Sequence, residues 1–223
     1  MKTPLLIEAL TKYLAGVVLS GAMLFLPAGT WHYMEGWLFM VLLFAPMLIV
    51  GVVIAIKSPD LLRIRLEAKE SKRSQDIIVK LSGLIFIASF VVAGLNHRYG
   101  WVTPPTWSVW LSSAIFLCSY LLYAEVLREN RYLSRTIKVV EGQTVVDTGL
   151  YGIVRHPMYM ATTLLFLAMP MVLASPISLA IMLLYIPLIA KRIKTEESLL
   201  EEQLPGYIEY KKRVRYRMIP FIY

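Results

Sequence analysis

Residues 157–190, PMYMATTLLFLAMPMVLASPISLAIMLLYIPLIA, contain no charged side chain. As one α-helix the run would be about 51 Å long at ~1.5 Å per residue, well beyond the ~30 Å hydrocarbon core of a bilayer. The Ala-Ser-Pro sequence at 174–176 supplies a turn in its middle. The expectation is therefore a tight hairpin of two short helices, 158–173 and 177–190. Pro170 and Pro187 each lack an amide donor, so both helices should kink or open locally and free carbonyls for other partners.

Upstream of the hairpin the chain keeps this character. Of its 223 residues 57% are apolar and 17% charged, against about 45–50% and about 25% in soluble domains. Residues 13–33, 36–56, 77–95 (with Lys80 near one end) and 107–124 are each apolar over about the 20 residues a crossing helix needs. The last of these follows the helix-breaking Pro104 and Pro105. The first exceeds the ~7–15 apolar residues of a signal-peptide core and is expected to be a retained span. Together these runs predict an all-α integral membrane protein with about six transmembrane helices. It divides into an N-terminal four-span part, residues 1–127, and a C-terminal part, 128–223, that ends in the hairpin and its flanks.

Lys and Arg crowd residues 57–80, 128–155 and 191–217, whereas the intervening loops hold only His32, His97 and Arg98 as basic groups. Six spans put the three basic regions on one side, which the positive-inside rule makes cytoplasmic, together with both termini. In a bacterium the host would be the inner, plasma membrane. The net charge of +8 then reads as a topology signal toward an anionic leaflet. No nucleic-acid partner is expected, since that would require a sizeable polar domain to carry the basic face. Trp31, Trp37, Trp101, Trp107 and Trp110 fall near the outer ends of spans, as an interfacial belt requires. The lone Cys118 and three scattered histidines predict neither a disulfide nor a metal site. Between the second and third spans, Pro59 and Asp60 can start a short helix. In it Leu61, Leu62, Ile64 and Leu66 alternate with Arg63, Arg65 and Lys69, so it reads as a membrane-surface helix or a solvated linker. Residues 138–146 alternate weakly and are expected to be extended.

The polar residues that need a reason gather at the basic ends of the last two spans. Gly149, Tyr151, Gly152, Arg155, His156, Met158 and Tyr159 precede or open the hairpin; Arg192, Glu196 and Glu197 follow it. Arg155-His156-Pro157 taken alone is a charged anchor before a helix-starting proline. Arg192 and Glu196, however, are four residues apart and share a helix face. The hairpin also brings its two ends together, so these segments can converge on one pocket of mixed charge at the membrane surface.

The sequence GLYGIVRHPMY at 149–159, the apolar hairpin, then Arg192, Glu196-Glu197 and GYIEYKKRV at 206–214 resemble the isoprenylcysteine carboxyl methyltransferases, within a wider group of membrane phospholipid methyltransferases. The resemblance covers roughly residues 130–220. It implies a cytoplasmic S-adenosylmethionine site lined by Gln143, Thr144, Val145, Val146 and Tyr151, with His156, Pro157, Met158 and Tyr159 against the cofactor. It also implies that Glu196 binds the polar end of the cofactor, with Glu197 able to exchange roles with it. Arg192 matches the family's arginine for the acceptor, a lipid-like or prenylated small molecule arriving from the bilayer. S-adenosylmethionine carries both signs of charge, which suits a carboxylate at Glu196 and a cation at Arg155 or His156. Arg192 and Glu196 are thus the expected catalytic residues. The implied reaction is carboxyl O-methylation; phospholipid N-methylation is the nearest alternative. Membrane sterol and steroid reductases, which use a nicotinamide cofactor, also carry an Arg-His-x-x-Tyr segment and form a second resemblance. They tend to have Asn where this chain has Met158 and to lack the paired glutamate. A non-enzymatic scaffold with the same fold is the third reading.

Overall fold

The computed structural model describes residues 3–57, 62, 63, 66, 73–130, 132, 133 and 139–223. Long helices follow the apolar runs: α1 (Thr3–Ala28), α2 (Met34–Lys57), α3 (Arg73–Tyr99) and α4 (Thr106–Glu129). After a 3₁₀ turn, Gly149–Gly152, come α5 (Pro157–Val172), α6 (Pro176–Met182), α7 (Tyr185–Gln203) and α8 (Tyr207–Arg213). The chain is an all-α integral membrane protein, with no strand among the described residues. Residues 139–146, expected to be extended, instead form irregular chain around a turn in which Gln143 N donates to Val140 O at 3.0 Å. Weak alternation has no neighbouring strand to pair with here. The expected surface helix lies largely outside the described residues, although Leu62 is buried and Lys12 Nζ donates to Leu66 O at 3.0 Å.

Among the described residues five helical stretches are long and apolar enough to cross a membrane: Leu5–Ala28, Met34–Lys57, Asp76–Tyr99, Thr106–Glu129 and Pro176–Gln203. The sixth, α5, has only 16 residues, about 24 Å of helix. It nevertheless reaches the level at which α1 turns into α2 and α3 ends. The Tyr33 hydroxyl donates to Leu173 O at 2.6 Å, and Asn96 Nδ2 donates to Ala174 O at 3.2 Å. At the tip Ala174 takes φ 53°, and Ser175 caps α6, its Oγ accepting from Ser178 N at 3.4 Å ahead of Pro176.

The returning arm is not the single helix expected over 177–190. It is broken between α6 and α7 at Leu183 and Leu184, and α7 runs on to Gln203. Pro187 accounts for the break. It offers no amide hydrogen to the Leu183 carbonyl, which accepts from Ile186 N at 3.1 Å in a tighter, three-residue bond. Pro170, by contrast, lies inside α5, which continues to Val172.

Helix α4 packs most extensively on α5, α1 on α3, and α3 on α6. Ser108, Ser112, Ser113 and Ser119 are buried on α4, where small side chains let helices approach. Ser113 and Ser119 satisfy their hydroxyls on carbonyls one turn back, at 2.8 and 2.7 Å. Gly94 on α3 is required by closeness: a Cβ there would lie 2.4 Å from Leu24 O of α1. Leu19, Leu26, Val41, Ile56, Leu84 and Leu121 are exposed on the outer faces, as lipid-facing residues must be.

Asn96 ties together the end of the bundle opposite the basic segments. Besides Ala174 it bonds both polar groups of Val102, donating to the carbonyl at 2.9 Å and accepting from the amide at 3.1 Å. Asn96→Leu keeps the volume and strands these groups where water is scarce. It should destabilise the protein by about 1–3 kcal/mol, read as a lower melting midpoint in detergent. An unchanged midpoint would show that the hairpin tip is held some other way.

Candidate functional site

At the basic end of the bundle, Pro157 starts α5 and fixes the direction of the chain before it. The amides of Arg155 and His156 there donate to the carbonyls of Tyr216 and Arg217, at 2.9 and 2.7 Å. The C-terminal tail is thereby laid against the start of the hairpin. Glu197, 2% exposed on α7, binds both partners. Its Oε1 accepts from Arg155 Nε at 2.7 Å and lies 3.3 Å from His156 Nε2; its Oε2 accepts from Arg217 Nε at 2.8 Å. A second Arg155 nitrogen also meets Oε1 at 2.7 Å, and the third donates to Val214 O and Arg215 O, both at 2.7 Å.

In front of this buried cluster opens a cleft of about 840 Å³, counting its mouth. Gln143, Thr144, Val145, Val146, Tyr151, Arg155, His156, Met158, Tyr159, Arg192 and Glu196 all line it. Pro157 and Glu197 do not: the first is buried as the opening residue of α5, and the second faces the tail. Arg155 touches the cleft, but its donors are turned to Glu197 and to the tail carbonyls. Gln143 likewise uses its side-chain oxygen to accept from Val140 N at 3.0 Å.

Arg192 and Glu196 meet through a third residue. Arg192 Nε donates to the Tyr159 hydroxyl at 3.1 Å, and that hydroxyl donates to Glu196 Oε2 at 2.5 Å. The arrangement fixes a cation, a phenol and a carboxylate along one wall, and Tyr159 is 5% exposed.

Several lining residues were not expected from sequence. Asn130 and Leu133 come from the end of α4 and beyond; Leu199, Leu200 and Leu204 from α7 and its end; Tyr207 and Tyr210 from α8. Asn130 Nδ2 donates to the Tyr151 hydroxyl at 2.9 Å, and the Tyr210 hydroxyl donates to Tyr151 O at 2.7 Å. Tyr207 and Tyr210, three apart on a helix that starts after Gly206 at φ 82°, carried the one available signal: they share a face. Burial pushes the phenols of both above their ordinary range, Tyr207 further through the nearby Glu197 charge, so both stay protonated at neutral pH. The Tyr207 hydroxyl is buried with no hydrogen-bond partner among the described residues.

Residues 108–202 match the Isoprenylcysteine carboxyl methyltransferase (ICMT) family. The match takes in somewhat under half of the chain. The ICMT region runs from the first turn of α4 through α7, and so contains the Arg155-His156 segment, the hairpin, Arg192, Glu196 and Glu197. It stops short of α8 and of the tail that Glu197 binds. The chain is also similar to a Delta(14)-sterol reductase, TM7SF2, of Mus musculus, 32% identical over 91 residues. That match takes in 40% of this chain and 22% of the reductase, so the chain spans about a fifth of that relative's length.

The two adjacent glutamates of the ICMT region should behave differently. Glu197→Ala leaves the buried Arg155 charge uncompensated and should cost about 3–5 kcal/mol. Glu196→Gln can still accept from Tyr159 and should cost under ~1 kcal/mol in stability. Thermal unfolding of the two variants side by side checks this; equal midpoints would contradict the division of labour.

Proposed function

We propose that the chain is an S-adenosylmethionine-dependent methyltransferase acting on a lipid-like acceptor, most directly by carboxyl O-methylation. What carries the reading is the Arg192, Tyr159 and Glu196 chain, three residues of the ICMT-matched stretch that stand together on the wall of the cleft. The cleft also fits the cofactor chemically, since it offers an anionic group at Glu196 and, in Tyr207, a buried donor without a partner among the described residues. When bound, S-adenosylmethionine supplies a methyl group on a sulfonium, which an acceptor oxygen takes up by direct displacement.

Glu196 faces the cationic part of the cofactor, and Tyr159 holds it there by donating to one of its oxygens. Tyr151, Val146 and Met158 pack on the flat nucleoside. Arg192, lying toward the membrane end of α7, orients the acceptor with the planar donor fork that suits two oxygens. A carboxylate acceptor is already ionised at neutral pH, so the site needs no general base and can work by positioning and by excluding water. An amine acceptor would have to lose a proton, with Glu196 as its nearest base. The basic end of the bundle, with both termini and the cleft, faces the cytoplasm under the positive-inside rule; in a bacterium the membrane is the plasma membrane.

The similarity to the Delta(14)-sterol reductase favours a second reading, reduction with a nicotinamide cofactor. Against it stands the charge of the cleft. The phosphates of such a nucleotide are repelled by the Glu196 carboxylate on the wall, and Arg155 turns its donors to Glu197 and two carbonyls.

Calorimetry with S-adenosylhomocysteine and with NADPH separates the readings: the first should bind and the second should not, and the reverse would replace methyl transfer by reduction. Transfer of labelled methyl to farnesylcysteine analogues, phosphatidylethanolamine and free fatty acids then identifies the acceptor. Arg192→Lys keeps the charge and loses the fork. Turnover should fall by ~10²-fold, consistent with lost positioning of the acceptor, while S-adenosylhomocysteine still binds. Near wild-type transfer by this variant would leave Arg192 as a membrane-end anchor only.

A further inference from the structure

The polar side chains that line the cleft have mostly found partners inside the protein. Three nitrogens of Arg155 are engaged by Glu197, Val214 O and Arg215 O. His156 Nε2 lies on Glu197, Asn130 Nδ2 on the Tyr151 hydroxyl, the Tyr210 hydroxyl on Tyr151 O, and the Tyr159 hydroxyl on Glu196. Of the buried side-chain donors on the cleft, the Tyr207 hydroxyl is the one left without a partner among the described residues. Tyr207 is 3% exposed, and an unmet hydroxyl at that depth is costly unless something else satisfies it. Its position is fixed: Gly206 turns the chain at φ 82°, Tyr207 N donates to Leu204 O at 3.2 Å, and the ring packs with Tyr210, Leu204 and Val214.

The surroundings say which part of a ligand this hydroxyl meets. Leu133, Tyr151, Val146 and Met158 form an apolar group suited to a nucleoside. Tyr207 shares the cleft with Arg155, His156 and Glu196, which make up its polar side. On that side Glu196 attracts an ammonium or sulfonium and repels a carboxylate, so a carboxylate needs a donor of its own.

We propose that Tyr207 is a binding residue of the cleft whose hydroxyl donates a hydrogen bond to the carboxylate on the amino-acid part of S-adenosylmethionine. The proposal rests on the methyltransferase reading and adds a residue that lies beyond the ICMT match, which ends at 202.

Tyr207→Phe removes one oxygen and leaves the ring. Because that oxygen makes no bond among the described residues, the ligand-free variant should melt at the wild-type midpoint or above it. Its affinity for S-adenosylhomocysteine should fall roughly tenfold or more, the effect of a hydrogen bond to a charged group. Decarboxylated S-adenosylhomocysteine, which keeps the nucleoside and the amine, should bind both proteins equally. Equal affinity of the two proteins for S-adenosylhomocysteine would overturn the proposal and assign the hydroxyl to a buried water. An equal loss for both ligands would overturn it too, placing the contact elsewhere on the ligand, and a lowered melting midpoint would make Tyr207 a structural residue. Failure of the wild-type protein to bind S-adenosylhomocysteine is a different result: it removes the methyltransferase reading itself.

Discussion

One buried carboxylate, Glu197, joins three stretches that are distant in sequence: the segment before α5, helix α7 and the C-terminal tail. A buried ion pair adds little net stability over well-packed apolar groups, because desolvation offsets most of the attraction. Its effect here is on register. Arg155 can be satisfied only where one carboxylate and the carbonyls of Val214 and Arg215 coincide. A slip of one residue along α7 would present Glu196 or Ser198 instead and strand the guanidinium. With Arg155 and His156 fixed, α5 begins at a set point, Tyr159 lies within its first turn, and the phenol falls between Arg192 and Glu196.

The bilayer supplies the opposing constraint. In hydrocarbon every backbone group must be bonded within the protein, yet the hairpin that carries the site contains two prolines and a turn. The tip carbonyls are met by Tyr33 and Asn96, and the break before α7 closes on itself by the tighter bond from Ile186 to Leu183. The break also separates α6, packed on α3, from α7, so that α7 can carry Arg192, Glu196 and Glu197 to the cleft.

Much of this was legible in the sequence, and the reasons are specific. A charge-free run too long for one helix gives a hairpin, Pro187 gives its broken arm, and the spacing of Arg192 and Glu196 gives a shared face. What periodicity could not assign was the orientation of α7: neighbouring residues on a helix differ by about 100°. Whether Glu196 or Glu197 meets the cleft therefore depends on how the tail packs. The partners of Arg155 are two backbone carbonyls, which have no signature in sequence. Asn130, Tyr207 and Tyr210 reach the cleft only through the assembly of α4, α7 and α8. The alternation at 139–146 suggested extended chain, yet those residues form a turn closed by the Gln143 side chain.

The central claim is that the cleft at the basic end of the bundle holds S-adenosylmethionine. Ultraviolet cross-linking of methyl-labelled S-adenosylmethionine to the purified protein, followed by peptide mapping, addresses it directly. The account predicts label in the tryptic peptide 139–155, which carries Gln143, Val146 and Tyr151, and competition by unlabelled S-adenosylhomocysteine. Label confined to peptides of α1–α3, or no more label than heat-denatured protein takes up, would contradict it.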